Sequence, residues 1–215
     1  QALPVIVNAI IQNAGQTCSA GSRVLVQRGI YEDVLTRLGG KFSALRAGPP
    51  RLELEMGPLV NKKQFDLVQR FVQQAEAAHI PVAAKGALHP DAATSGYYQP
   101  AVLFRDGPPE SDLAQKEIFG PVLAAMPFDT EDDAVRLANG TAYGLVAGIW
   151  TRDGSRALRV ARRMRCGQVF INNYGAGGGV ELPFGGVKSS GHGREKGFEA
   201  LMSFTVLKTI AIKHG

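Results

Sequence analysis

The sequence predicts an α/β fold, a twisted and mostly parallel sheet with flanking helices. Strand-like runs rich in β-branched residues alternate with segments whose apolar residues recur at helical spacing. A hydrophobic content of 45% and a charged content of 20% over 215 residues suit one globular domain, with or without an arm. The 26 glycines gather at loops, notably Gly175-Ala176-Gly177-Gly178-Gly179 and Pro183-Phe184-Gly185-Gly186, so they punctuate the pattern without breaking it.

Helical periodicity covers residues 1–13, 31–44, 62–78, 131–138 and 154–165, and strand patterns cover 23–27, 82–84, 99–104, 122–128, 145–150 and 168–172. Acids in Asp129-Thr130-Glu131-Asp132-Asp133 sit at a helix start, where the macrodipole favours them. In the helix at 154–165, Ala157, Leu158, Val160, Ala161 and Met164 are read as the inward stripe, with the arginines outside. A last run, residues 205–213, is rich in β-branched residues and has no helix after it. Such a strand is expected to pair with a neighbouring chain. The organisation expected is therefore a domain over 1–203 and an arm over 204–215.

Composition excludes several classes. No apolar run approaches the ~20 residues a bilayer span needs, and the apolar N-terminal stretch has no basic residues ahead of it, so no signal peptide is read. The chain has no initiator Met and starts inside an element, so a processed or truncated polypeptide is expected. The net charge of +5 comes largely from one arginine-rich helix with no interleaved aromatics, so a nucleic-acid partner is not expected. The four histidines and two cysteines offer no metal-ligand spacing. Two cysteines do not frame a fold of this size; a reduced, cytoplasmic protein is expected. Neither GxGxxG at a helix start nor GxxxxGK[ST] occurs, so the chain carries no dinucleotide fingerprint of its own.

Three motifs carry chemistry. In Asn13-Ala14-Gly15-Gln16-Thr17-Cys18-Ser19-Ala20 a helical run ends, Gly15 allows a sharp turn, and Cys18 is presented among small neighbours. A thiolate held there can attack a group lodged in a cleft; the bland alternative is a buried, inert thiol. In Glu117-Ile118-Phe119-Gly120-Pro121 a carboxylate able to accept from two vicinal sugar hydroxyls lies beside an aromatic able to face a flat ring. In Pro183-Phe184-Gly185-Gly186-Val187-Lys188-Ser189-Ser190-Gly191-His192-Gly193-Arg194-Glu195, dense glycine permits close backbone approach.

Together and in this order the three motifs resemble the aldehyde dehydrogenase superfamily. Weaker matches lie between them in Gly57-Pro58-Leu59-Val60 and Asn139-Gly140-Thr141-Ala142-Tyr143-Gly144-Leu145, so the likeness spans nearly the whole chain. It implies that Cys18 is the nucleophile: its thiolate adds to an aldehyde, the thiohemiacetal carbon passes a hydride to a nicotinamide, and the thioester left behind is hydrolysed to an acid. It further implies that Glu117 holds the nicotinamide ribose and Phe119 packs near the ring. Phe184 walls the substrate side, and Thr17 and Ser19 border the aldehyde tunnel. The backbone N–H of Cys18 is a candidate oxyanion donor. The cofactor implied is NAD or NADP, the substrate an aldehyde, and the terminal strand a homo-oligomerisation arm.

Family members are about twice this length. The resemblance places their cofactor domain, an oxyanion Asn and a water-activating Glu upstream of anything in this chain. A catalytic domain without these is expected to turn over negligibly alone, since loss of the acid alone costs on the order of 10²–10⁴-fold. Three alternatives stay open: a CoA-acylating semialdehyde dehydrogenase, an esterase-like thiol, and a non-catalytic oligomerising scaffold. Of the remaining residues, Cys166 and Trp150 are expected to pack in the core and His192 to be exposed. Lys188, Arg194 and Glu195 are expected to order the late loop through ion pairs.

Overall fold

The computed structural model describes residues 1–92, 96–175 and 179–215. In chain order the elements are α1 (Ala2–Ile11), β1 (Arg23–Gln27), α2 (Tyr31–Ala44), β2 (Arg46–Ala47), α3 (Lys62–Ala77), β3 (Val82–Lys85) and β4 (Ala87–Leu88). There follow β5 (Val102–Arg105), α4 (Asp112–Gln115), β6 (Val122–Phe128), α5 (Glu131–Asn139), β7 (Val146–Ile149), α6 (Gly154–Arg163), β8 (Gln168–Ile171) and α7 (Gly197–Met202). Apart from the terminal run, the expected helices and strands are present within a few residues of their predicted ends.

The main sheet has the order β1-β6-β5-β3, with β1, β6 and β5 parallel and β3 antiparallel at the edge. Two small parallel pairs, β2 with β4 and β7 with β8, stand apart from it. The side chains of β5 and β6 are buried nearly throughout, which is why their sequences read as unbroken apolar runs. Their period-2 alternation sorts them between two cores. Leu103, Leu123 and Ala125 pack with Ile10 of α1 and Leu35, Leu38 and Phe42 of α2. Val102, Phe104, Val122 and Ala124 pack instead with Val68, Val72 and Ala75 of α3 and Leu113 of α4.

Local chemistry explains several boundaries. Thr130 and Asp133 form a reciprocal capping box at the start of α5, the Thr130 hydroxyl accepting from the Asp133 N–H at 3.1 Å and the Asp133 carboxylate from the Thr130 N–H at 3.2 Å. Asp153 caps α6 by accepting from the Arg156 N–H at 3.0 Å. On α6 the inward stripe is Ala157, Val160, Ala161 and Met164, at i, i+3, i+4 and i+7; Leu158 falls off that stripe and is 55% exposed, against its expected inward position. The outward arginines meet acids of α5: Arg159 makes a paired bond to Glu131 and Arg163 reaches Asp132.

In the single chain the terminal run, expected to pair with a neighbour, is not a strand. Residues 205–213 pair with no strand among the described residues, and Val206, Leu207, Ile210 and Ile212 are exposed. An isolated strand has nowhere to place its backbone bonds, so the β-branched composition alone does not produce one. The late-loop charges also differ from expectation. Lys188 donates to the carbonyls of Asn139 and Thr141 at the end of α5, and Arg194 to those of Gly186 and Gly193, so backbone acceptors take the place of ion pairs. No described helix is long and apolar enough to cross a membrane.

Candidate active site

The turn bearing Cys18 is built by the exit from α1. After Ile11 the backbone enters the left-handed region at Asn13 (φ 50°), Ala14 (φ 54°) and Gly15 (φ 76°), then doubles back. Gln16 locks this reversal: its amide donates to the Asn13 carbonyl at 2.8 Å, and its side-chain oxygen accepts from the Val60 N–H at 2.9 Å. The return leg is tied to α1 by the Gly21 N–H donating to the Ala9 carbonyl. Cys18 at the tip is exposed, while Ser19 beside it is buried.

The second motif is pressed against that turn. A β-carbon built on Gly15 would collide with the carbonyl of Gly120 and lie 2.7 Å from the Pro121 nitrogen. Only glycine fits there, and the positive φ independently favours it. Phe119 itself has φ 56°, a conformation bulky residues rarely adopt. Gln64 of α3 holds it, donating to the Ile118 and Phe119 carbonyls at 3.0 and 2.8 Å.

Thr17, Cys18, Ser19, Glu117 and Phe119 line one cleft of about 840 Å³. Glu117 is exposed on its rim. Phe119 also borders a second cavity of about 600 Å³, behind the turn, lined by Asn13, Ala14, Gln16 and Val60 among others. Phe119 therefore borders both. Within the cleft the Thr17 hydroxyl is buried without a hydrogen-bond partner, and the Cys18 N–H donates to no protein acceptor among the described residues. The Cys18 N–H is an unengaged donor on an exposed residue.

Phe184 is not brought to this cleft. Its backbone exchanges two 2.6 Å bonds with Glu195, and the Lys196 ammonium lies 5.8 Å from its ring centroid. Trp150, expected in the core, is half-buried and lines the cleft. His192 is exposed, as expected. Part of the Gly175–Gly179 loop, residues 176–178, lies outside the described residues.

Sequence reasoning missed Tyr174 and Gln64. The Tyr174 hydroxyl donates to the Ser19 carbonyl at 3.0 Å and ties down the turn that bears Cys18. Burial pushes this phenol up to about 12. Cys166 is half-buried, its thiol donating to the Gln168 carbonyl at 3.2 Å; burial pushes it above the usual thiol range. Both thiols are free. Among the described residues no group of acids, cysteines and histidines is arranged to hold a metal.

Comparison with known proteins fits this arrangement. The profile described as "Aldehyde dehydrogenase family" matches residues 1–210. A betaine aldehyde dehydrogenase of Cereibacter sphaeroides is 41% identical over 206 residues, which cover 94% of this chain and 41% of that protein. A crystal structure from Burkholderia cenocepacia, provisionally assigned as an aldehyde dehydrogenase, superposes with a TM-score of 0.97 at 65% identity over 100% of this chain and 45% of its own. An NAD⁺ complex of aldehyde dehydrogenase from Bacillus cereus superposes with a TM-score of 0.89 at 38% identity, covering 96% of this chain and 42% of its own. The chain thus spans about two-fifths of the length of the curated relatives it matches.

Proposed function

The chain belongs to the aldehyde dehydrogenase family, and from that premise we propose that it is the nucleophile-bearing domain of an enzyme oxidising an aldehyde to a carboxylic acid. The observation that carries this reading is the presentation of Cys18 on a strained turn that opens, with Glu117 and Phe119, onto one cleft. The Cys18 thiolate adds to the aldehyde carbon, forming the C–S bond of a thiohemiacetal. The oxygen that gains negative charge meets the unengaged Cys18 N–H, whose direction is set before substrate arrives; such preorganised donors supply much of the stabilisation in acyl chemistry.

A nicotinamide cofactor fits the residues opposite. Glu117 is an exposed carboxylate on the rim, suited to accept from two ribose hydroxyls, and Phe119 presents an accessible ring beside it. The cleft has room for a planar heterocycle with its sugar. When bound, the dinucleotide supplies the two-electron acceptor that the thiohemiacetal carbon requires. The NAD⁺ complex of the Bacillus cereus relative supports an NAD-type cofactor here. Residues 204–215 serve as an arm in this reading, with 205–213 pairing with a second copy; exposure of Val206, Leu207, Ile210 and Ile212 supports it.

The test separates the thiol from the rest of the enzyme. With p-nitrophenyl acetate, the 215-residue chain should release one equivalent of p-nitrophenol in a burst and carry acetyl on Cys18. Cys18→Ser should abolish the burst. An undiminished burst in that variant, or acetyl on Cys166, would overturn the assignment. The same chain should show no measurable NAD⁺ reduction with an aldehyde; turnover by it alone would contradict the proposal that it depends on a further domain.

A further inference from the structure

The turn that carries Cys18 is closed by one backbone bond, from the Ala20 N–H to the Thr17 carbonyl at 2.9 Å. Cys18 and Ser19 are therefore its two corner residues. The peptide units on either side of them are trans, so each sends its C=O and its N–H in opposite directions. In the unit joining Ser19 to Ala20, the N–H points inward at Thr17 and the carbonyl points out of the turn. In the unit joining Thr17 to Cys18, the carbonyl receives that bond and the N–H points out. The outward Ser19 carbonyl accepts from the Tyr174 hydroxyl at 3.0 Å and from no other protein donor among the described residues. The outward Cys18 N–H, by contrast, is unengaged.

These contacts make one directed series. The phenol donates to the Ser19 carbonyl, the Ala20 N–H of the same peptide donates to the Thr17 carbonyl, and the Cys18 N–H of that peptide is the free donor at the end. A donor at an amide oxygen draws charge across the peptide and sharpens its N–H, so bonds in series reinforce one another where water is scarce. Water is scarce at the start of this series, because Ser19 is buried. Tyr174 is itself firmly seated. A β-carbon on Gly148 of β7 would lie 2.7 Å from its ring, so the ring rests on the backbone of that strand, and its N–H donates to the Asn173 side chain at 2.8 Å.

We propose that Tyr174 is a positioning residue for the acyl chemistry of Cys18: through the two peptide units of the turn it aims and polarises the Cys18 N–H at the oxygen that becomes negative. The inference rests on the reading of Cys18 as the nucleophile. In that step the thiolate forms a C–S bond, the π pair of the carbonyl moves onto oxygen, and the Cys18 N–H meets the charge. When an ester is the substrate, the carbonyl re-forms and the C–O bond to the leaving group breaks. Tyr174 keeps its own proton throughout.

Two electrophiles separate this role from simple bracing of the turn. p-Nitrophenyl acetate acylates the thiolate through an oxyanion and releases p-nitrophenolate. Iodoacetamide alkylates it by direct displacement of iodide at carbon, with no oxyanion to stabilise. In Tyr174→Phe the burst with the ester should slow by about tenfold, less than the roughly 10²–10³-fold that follows outright removal of an oxyanion donor. Alkylation of Cys18 in the same variant should stay within about twofold of the parent rate. Equal slowing of both reactions would overturn the proposal and leave Tyr174 a brace of the turn. A parent chain that shows the burst beside a variant with the same burst rate would remove this inference alone. A parent chain with no burst at Cys18 would remove the nucleophile reading, and this inference with it.

Discussion

Gly15 rests on the carbonyl of Gly120, and this one contact sets the turn of Cys18 against the loop of Glu117 and Phe119. Neither loop can be displaced alone. Gly15→Ala adds a methyl where the Gly120 carbonyl already stands and places a β-carbon on a backbone at φ 76°. Left-handed strain of roughly 1–2 kcal/mol and overpacking of roughly 1–3 kcal/mol predict a loss of about 2–5 kcal/mol. Urea unfolding measures it, and a loss below about 1 kcal/mol would show that the loops are not clamped at this point.

The two thiols should react at very different rates. Cys18 is exposed at the tip of its turn, whereas Cys166 is half-buried, bonded to the Gln168 carbonyl and held above the usual thiol range by burial. Access favours Cys18, and burial works against ionisation of Cys166. Mass spectrometry after brief iodoacetamide treatment at neutral pH should find the label on Cys18 before Cys166 by about tenfold or more. Equal labelling would remove the contrast on which the nucleophile assignment leans.

How far this was legible in the sequence depends on the range of the interactions. Elements such as α2 and β6 follow from local periodicity and hydrophobic runs, and their bounds matched. The Thr130 cap was likewise partly readable, because its acids are adjacent in sequence. The placing of Tyr174 on Ser19 joins residues 155 positions apart, and that of Gln64 on Phe119 joins residues 55 apart; no local pattern announces either. Leu158 was misplaced because a hydrophobic residue within a helix is not thereby on its inward face. The terminal run forms no strand within the single chain, because its composition states a preference that only a pairing partner can satisfy. Phe184 does not line the cleft although Ser190 of the same loop does, and its backbone is paired with Glu195, a contact within the loop that the motif does not announce.

Alkaline pH should loosen the fold through two phenols. Burial foremost pushes Tyr31 and Tyr174 up to about 12 from 10.0, while each also makes a structural bond, Tyr31 to the Ala125 carbonyl and Tyr174 to that of Ser19. The unfolded chain therefore gives up these protons first. Stability from this source is complete below about pH 10 and falls as pH rises from there towards 12. Chemical denaturation followed across that range should show the decline, and Tyr174→Phe should flatten part of it. Because that variant leaves the Ser19 carbonyl without its donor, it should also lower stability at neutral pH by about 1 kcal/mol. A variant with an unaltered alkaline limb would exclude Tyr174 as a contributor.

Arg23 joins the sheet to the end of α5. Its guanidinium donates to the Leu137 and Ala138 carbonyls, both at 3.0 Å, and Lys188 takes the Asn139 carbonyl at 2.9 Å from the other side. The last turn of that helix thus has its exposed acceptors met by two cations, which the macrodipole favours. Arg23 is half-buried and bonded by no carboxylate among the described residues, so burial draws its affinity for the proton below the usual arginine range without discharging it. Arg23→Met keeps the apolar stem and removes both donors; charge-assisted bonds of this kind predict a loss of about 2–3 kcal/mol. Arg23→Lys should recover only part of that, because an ammonium cannot span two acceptors as the planar fork does. Urea titrations should show a lower midpoint at constant slope for both, with methionine the lower. If lysine restored the full value, simple charge at the helix end would suffice and the forked geometry would carry no share of the stability.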